Sequence, residues 1–302
     1  MMTILSFLDS VCYLVLFVFI IYLFIFSLFS LKKKKTYYPE AKLNHRFIVL
    51  FPAYEEDAVI VHNVRDFFKQ DYPRDKYDVL VISDHMKDST IDELKNTGAK
   101  VLAVNFVEST KAAALNFAMQ NMEDGQYDVV VIMDADNRAE QTFLQLLNNA
   151  YDFGIKAMQT RRIAKNKNTD VALLDAASEA INNSIFRQGH VNAGLSSALS
   201  GSGMAFDFKW FKHNIKSVHT AGEDKEIELL LLYDNIYIDY LDYVLVRDEK
   251  TQEAAAFSRQ RQRWLFSQYE TLKIGLRRLP QALISRNIDF NGYCCLGSLF
   301  SA

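Results

Sequence analysis

Two hydrophobic patterns divide this chain. Residues 11–31 form one stretch that is apolar apart from Tyr22, Ser27 and Ser30 and free of charge. That is long enough to cross a bilayer as a helix. From Arg46 onward the pattern becomes short apolar runs separated by mixed stretches. Runs at 47–51, 79–82, 101–104, 129–133 and 157–160 read as strands, the last one the weakest. Between them, 57–69, the segment opening at Asp88-Ser89, and the alanine-rich 111–119 read as helices. Strands alternating with helices predict an α/β fold with a mostly parallel central sheet covered on its faces by helices. Further on, 169–186 reads as a long helix, 189–203 as a Gly/Ser/Ala-rich loop lining a cleft or a simple flexible connection, and 236–240 as a strand. Gly222-Glu223-Asp224 opens a helix running to about Tyr233, where first-turn carboxylates suit the helix dipole. A later helix carries Gln260, Arg263 and Trp264 on one face. Residues 265–284 mix leucine and phenylalanine with lysine and arginine, as an interfacial helix does; a core helix is the alternative. The division expected is 1–35 as membrane helix and basic flank, 36–264 as the α/β domain, and 265–302 as an amphipathic and apolar tail.

The run Val129 to Asn137, VVVIMDADN, organises the α/β part. Apolar on both faces, it reads as a central strand, and it delivers Asp134 and Asp136 to its carboxyl end. In open α/β sheets ligands bind at that end. If the strand persists, residues i and i+2 share a face; if it stops, a turn can bring both carboxylates to one ligand. Either way they suit Mg²⁺ or Mn²⁺ held by one or two carboxylates plus substrate phosphates. The competing reading makes them turn and helix-start residues before a helix beginning near Ala139.

Charge and cysteine narrow the setting. A formal net charge of −3 gives no footprint for nucleic acid. Cys12 lies in the apolar segment and Cys294 and Cys295 near the end, so the α/β part has neither a disulfide framework nor a cysteine zinc site. This fits a reducing, cytosol-facing compartment. No Lys or Arg precedes the apolar stretch and no small-residue cleavage site follows it, which disfavours a signal peptide. Lys32 to Lys35 follow at once, so the flank is expected inside and the N-terminus outside. Those lysines would also hold anionic lipid at about 1 kcal/mol per charge.

Several motifs agree in order and spacing. They are Pro52-Ala53-Tyr54-Glu55-Glu56, Asp84, Lys111 within TKAAALN, Asp134-Ala135-Asp136, Gly201-Ser202-Gly203, Gly222-Glu223-Asp224 and Gln260-x-x-Arg263-Trp264. Together, over about 47–264, they resemble the family 2 inverting glycosyltransferases, and most of all the membrane-bound branch of cellulose, chitin, hyaluronan and exopolysaccharide synthases. The resemblance implies a GT-A nucleotide-diphospho-sugar transferase fold and a donor that is most often UDP-linked. It places Pro52, Ala53, Tyr54, Glu56 and Asp84 at the nucleotide, with Lys111 near the diphosphate. Asp134 would place the donor sugar and help Asp136 bind Mg²⁺ or Mn²⁺, while Gln260 and Arg263 contact the diphosphate. Asp224 would be the general base, with Glu223 its local competitor; Gly201, Ser202, Gly203, Glu223 and Trp264 would face the acceptor.

Three positions depart from the usual pattern: Glu55 for Asn, His85 for Asp and Gly222 for Thr. Synthases of this branch continue into further membrane helices, whereas 290–302 only begins an apolar stretch. The leading expectation is a membrane-anchored transferase that builds a β-linked glycan at the cytoplasmic face, with export or synthesis subunits as partners. Transfer of a single sugar to a lipid acceptor is the alternative, and a non-catalytic sugar-nucleotide scaffold the third reading.

Overall fold

The computed structural model describes residues 2–32, 37–220, 222–285 and 289–290. The basic flank at 33–35 and the apolar tail from 291 lie outside the described residues. In chain order the elements begin with α1 (Met2–Ser30), β1 (Phe47–Tyr54), α2 (Ile60–Phe67), β2 (Tyr77–Asp84), α3 (Asp88–Asn96), β3 (Lys100–Val104) and α4 (Lys111–Gln120). They continue with β4 (Val129–Ile132), β5 (Arg138–Ala139), α5 (Phe143–Asp152), β6 (Ala157–Ala164) and α6 (Asp170–Asn182). A π-helical segment, Asn183–Gly189, and the single turn α7 (His190–Asn192) prolong α6. Then come β7 (Met204–Asp207), α8 (Phe208–Asn214), α9 (Glu223–Tyr233), β8 (Ile238–Asp248) and α10 (Ala254–Ser285).

One sheet runs in the order β3-β2-β1-β4-β7-β6-β8-β5. Its first half is parallel, with Leu50 opposite both Leu80 and Ile132. β7 then enters antiparallel between β4 and β6. The alternation of each central strand divides two cores. Phe47, Val49, Phe51, Val129 and Val131 face α2 and α5, meeting Ile60, Val64, Phe143 and Leu147. Ile48, Leu50, Val130 and Ile132 face the other way, onto Leu115, Phe206, Phe211, Ile227 and Leu231. All four residues of β4 are buried on both faces, as a continuous apolar run requires. Side-chain caps fix helix starts: Thr110 accepts from the Ala113 amide at 3.1 Å, and Thr169 accepts from the Ala172 amide at 3.1 Å.

The structure moves several expected boundaries. No helix starts near Ala139: Arg138 and Ala139 instead pair with Arg247 and Val246 as a short strand, and the helix begins at Phe143. The helix expected to end at 186 continues to Asn192 through the π-helical segment, so only its C-terminal remainder is the cleft-lining loop. Residues 265–284 are no separate element, because α10 runs through 264 without a break. The strand expected at 236–240 is the start of the longer β8.

Among the described residues, α1 alone is long and apolar enough to cross a membrane, over Ser6–Ser30. Most of it is exposed, but Phe19, Tyr22, Leu23, Phe26 and Ser30 are half-buried at helical spacing. That face docks on the π-helical segment. Asn192 Nδ2 donates to the carbonyls of Phe29 at 2.9 Å and Lys32 at 2.7 Å, and Ser184 Oγ donates to Ser30 Oγ at 3.0 Å. Burial pushes His190 down to about 4, so it is neutral; with Nδ1 directed at the Ser196 carbonyl, its Nε2 accepts from the Tyr22 hydroxyl at 2.6 Å. A Cβ at Gly189 would lie 2.5 Å from the Phe26 carbonyl oxygen, so only glycine permits this approach.

Leu50 is fully buried at the junction of three strands. Leu50→Ala should therefore lower unfolding free energy by about 2–5 kcal/mol, read as a denaturant midpoint shift with an unchanged slope.

Candidate active site

The carboxyl ends of β1, β2 and β4 open on one side of the sheet. There the 199–203 loop, the start of α9 and one face of α10 close a cavity of about 620 Å³. The strand ends supply Pro52, Ala53, Tyr54 and Glu56, then Asp84, then Asp134 and Asp136. Lys111 comes from the first residue of α4, and Glu223 and Asp224 from the first turn of α9. Gln260, Arg263 and Trp264 face the same space from α10, and Gly201 from the loop. Ser202 and Gly203 do not line it. Ser202 is fully buried, and Gly203 holds the start of β7 against β4 and β6 through its amide to Ile132 and its carbonyl from Thr160, both at 2.9 Å. A Cβ on Gly203 would lie 2.3 Å from Thr160 Oγ1, and its φ of 63° favours glycine as well.

Lys111 ties the parts together. Its ammonium donates to Asp134 Oδ1 at 2.5 Å and to the Gly201 carbonyl at 2.6 Å, and lies 3.4 Å from Glu223. Burial alone would lower its pKa, but Asp134 and then Glu223 outweigh burial and hold it above the ordinary lysine value. Burial likewise opposes the charge on Asp134, and Lys111 and Arg162 overcome it, so Asp134 stays an anion with a lowered pKa. Glu223 differs: burial pushes it up to about 7, Lys111 works against the rise, and Asp224 and Asp134 add to it. Asp224 is half-buried beside it, with Oδ1 accepting from the Lys225 amide at 2.9 Å.

Asp136 and Glu56 form the second charged group. Burial raises Asp136, and neighbouring Asp134 raises it further. Burial raises Glu56 as well, followed by Asp136, Asp134 and Glu249. Asp136 is steadied by Asn137 Nδ2 at 2.9 Å, by the Glu249 amide at 3.1 Å and by the Lys165 ammonium on its carbonyl. Like charges gathered this way are the environment that a divalent cation relieves. Among the described residues no three carboxylate, imidazole or thiol groups form a complete metal cage. A cation here would thus take one or two carboxylates, Asp136 first since Asp134 is held by Lys111, and complete its shell from a ligand's oxygens.

Around the rest of the cavity, Arg263 is exposed and makes no hydrogen bond or ion pair with the described residues. Gln260 Oε1 accepts from Thr251 at a long 3.4 Å, and Trp264 stacks under Arg261 at 4.8 Å. Asp84 Oδ1 receives the Phe106 amide at 3.2 Å and contacts His85 Nδ1 at 2.6 Å. Glu55 and His85 end their strands with φ of 54° and 55°, a left-handed turn that Asn or Asp adopts more readily. At Gly222 a Cβ would lie 1.6 Å from Ser267 Oγ, so α10 approaches α9 only because no side chain intervenes there.

Sequence reasoning missed Arg162, Glu179 and Arg187, which line the cavity, and Lys165 and Glu249 beside Asp136. None belongs to a spaced motif. The one available signal was Arg161-Arg162 following a predicted strand, and only the fold turns Arg162 inward.

The chain matches the family described as "Glycosyltransferase like family 2" over residues 45–267. A 100-residue segment is 28% identical to the "Probable glycosyltransferase YdaM" of Bacillus subtilis (strain 168), covering 31% of this chain and 23% of that protein. The chain thus spans less than a quarter of that relative in the match. In structure it is similar to the mannosyltransferase PcManGT from Pyrobaculum calidifontis, solved in complex with GDP-Man and Mn²⁺. The TM-score is 0.67 at 17% identity, over 91% of this chain and 77% of that one. It is also similar to S. aureus TarS 1-349 in complex with UDP-GlcNAc, with a TM-score of 0.51 at 14% identity over 76% and 66% of the two chains. At these identities the two structures speak to the fold, which is the α/β GT-A type expected from the sequence.

The raised pKa values of Asp136 and Glu56 carry a sign. Each proton is held above the ordinary carboxylate range, and a cation must displace it. Mn²⁺-dependent binding of a nucleoside diphosphate should therefore tighten as pH rises through and somewhat above the carboxylate range, with net proton release. Calorimetry in two buffers of different ionisation enthalpy reads this directly. Asp136→Asn should remove both the metal dependence and the released proton.

Proposed function

The chain belongs to the glycosyltransferase like family 2, and from that premise we propose that it is a membrane-anchored inverting glycosyltransferase using a nucleotide-diphospho-sugar, UDP-linked first. It would extend a glycan through a β-linkage at the cytoplasmic face. The observation that carries this reading is the union in one cavity of the exposed Arg263, unpaired among the described residues, the Asp134/Asp136 pair and the half-buried Asp224.

Each group has a chemical task. Ala53, Tyr54 and Asp84 would hold the nucleoside at the β1 and β2 ends, and Asp134 with Lys111 the donor sugar and its neighbouring phosphate. A divalent cation at Asp136 would supply positive charge to the departing diphosphate, and Arg263 and Gln260 would do so from α10. The acceptor hydroxyl gives its proton to the Asp224 carboxylate as its oxygen bonds to the anomeric carbon. The bond from that carbon to the diphosphate oxygen breaks, and the electron pair leaves with the nucleoside diphosphate. A single displacement inverts the anomeric centre. The family resemblance selects Asp224 over Glu223 as base, and the contact of buried Glu223 with Lys111 supports that choice.

Anchoring rests on two features. The C-terminal half of α1 is docked on the domain by side-chain hydrogen bonds. Beyond Trp264, α10 is amphipathic in an inverted sense. Ser267, Gln268 and Thr271 are buried, while Leu265, Phe266, Tyr269 and Leu276 are 50–60% exposed beside exposed Lys273 and Arg277. A helix with its apolar side outward and basic residues at the margin suits a lipid interface.

Asp224→Asn should keep donor binding with Mn²⁺ while lowering transfer by about 10²–10⁴-fold; a variant that still transfers at the parent rate removes the base assignment. The parent is assayed by nucleotide release over a panel of UDP-, GDP- and dTDP-sugars in membranes. No release from any of them, in folded protein supplied with acceptor glycans, would count against a transferase. Deleting residues 1–35 should weaken but not abolish membrane flotation, because α10 remains.

A further inference from the structure

His85 stands at the nucleoside end of the cavity and has no task in the transfer described above. It does not line the cavity, but it touches two residues that do, Tyr54 and Asp84. Its ring lies beside that of Tyr54, with centroids 5.6 Å apart and planes at 65°. Its Nδ1 meets Asp84 Oδ1 at 2.6 Å. A carboxylate only accepts, so Nδ1 is the ring nitrogen that carries the proton and donates it to that bond.

The consequence falls on Asp84. This residue closes β2 between β1 and β3, opposite Tyr54 and Val104, and is 4% exposed. Oδ1 accepts twice, from His85 Nδ1 and from the Phe106 amide at 3.2 Å, which fills its lone pairs and fixes how the carboxylate is turned. Oδ2 accepts nothing from the described residues, and it is not sealed in the fold but lies on the cavity surface. A fixed carboxylate oxygen with no partner is a place for one ligand donor.

One open acceptor discriminates between nucleobases. Uracil carries a single ring N–H, at N3, between two carbonyls. Guanine carries two donors side by side, N1–H and the N2 amino group, which pair with both oxygens of a carboxylate at once. With Oδ1 filled, guanine keeps one of those bonds and leaves the other donor unmade, whereas uracil makes its one bond in full.

We propose that His85 is a specificity-determining residue: by occupying Asp84 Oδ1 it leaves one acceptor at the nucleoside end and so selects a uracil over a guanine nucleotide. This deepens the transferase reading and rests on it for the nucleotide site, but it is read from binding, without turnover. Full-length protein in detergent micelles with Mn²⁺ is titrated with UDP and with GDP by calorimetry. UDP should bind more tightly by about tenfold or more, the scale of one hydrogen bond. His85→Gly suits the φ of 55° and frees Oδ1, so it should narrow the UDP to GDP ratio by about fivefold or more. His85→Asn also suits that backbone, and its amide nitrogen can donate from the place of Nδ1, so the ratio should stay within about twofold of the parent although the ring beside Tyr54 is gone. If His85→Gly weakens both nucleotides alike and leaves the ratio unchanged, His85 is a packing residue and the proposal falls. A parent that binds GDP as tightly as UDP also overturns it, and both results leave the transferase reading standing. A ratio lost as fully in His85→Asn as in His85→Gly assigns selectivity to the ring and overturns the hydrogen-bond account. A folded parent that binds neither nucleotide overturns the transferase reading, and this inference with it.

Discussion

The Lys111 ammonium is the charge around which the site is assembled. It sits in the first turn of α4, where the helix dipole disfavours a cation, and is mostly buried. It is held there by Asp134 from the end of β4, by the Gly201 carbonyl from the loop and by Glu223 from the first turn of α9. Three segments far apart in sequence thus converge on one group. Removing it would take away the cation that faces buried Glu223 and leave Arg162 to hold Asp134 ionised. The same ammonium separates the carboxylates by task, holding Asp134 ionised and opposing the rise in Glu223 while Asp136 stands free of it.

Carboxylates that raise one another's pKa are costly in the unliganded fold, and the chain accepts that cost on one side of the cavity. The opposite sign appears on α10, where Arg263 is exposed and has no partner among the described residues. Carboxylates crowded at Asp136 and Glu56 and the exposed guanidinium of Arg263 line one space between strand ends and a helix start. A diphosphate with a divalent cation neutralises both at once. The close approach of α10 that makes this possible depends on Gly222, where a side chain would collide with Ser267. Gly222, which departs from the threonine often found in the resembled family, is therefore explained by packing at this interface.

The apolar helix α1 and the cavity share an element. The π-helical segment turns Arg187 and Asn183 inward while its other side takes Phe26 and Ser30 of α1. Its wider turn is what lets one short stretch serve both, and π-helical turns of this kind recur at functional sites. Neutral His190 accepting from Tyr22 extends the same contact.

How much of this was legible in the sequence follows from the range of each interaction. The unbroken apolar runs at Phe47 to Phe51 and at Val129 marked the central strands, because a strand buried on both faces must be apolar on both. The residues at the strand ends, Pro52 to Glu56, Asp84 and Asp134 with Asp136, were legible because strand-end chemistry is local, as was the spacing of Gln260, Arg263 and Trp264 on one helix. Residues whose meaning is set by distant partners were not legible. Arg138 and Ala139 read as a helix start and became a strand because Arg247 and Val246 offered backbone partners. Gly203 read as cavity lining and became the joint between β4 and β7, since β7 enters antiparallel, which no local pattern announces, and Ser202 beside it is fully buried. Arg162, Glu179 and Arg187 come from two elements, and only the closed sheet and the π-helical turn bring them into the cavity. The sequence by itself determined the strands, the apolar helix and the charged residues at the strand ends. Tertiary structure alone decided which charges neutralise one another and which are left for a ligand, because that balance depends on burial and on contacts between segments remote in the chain.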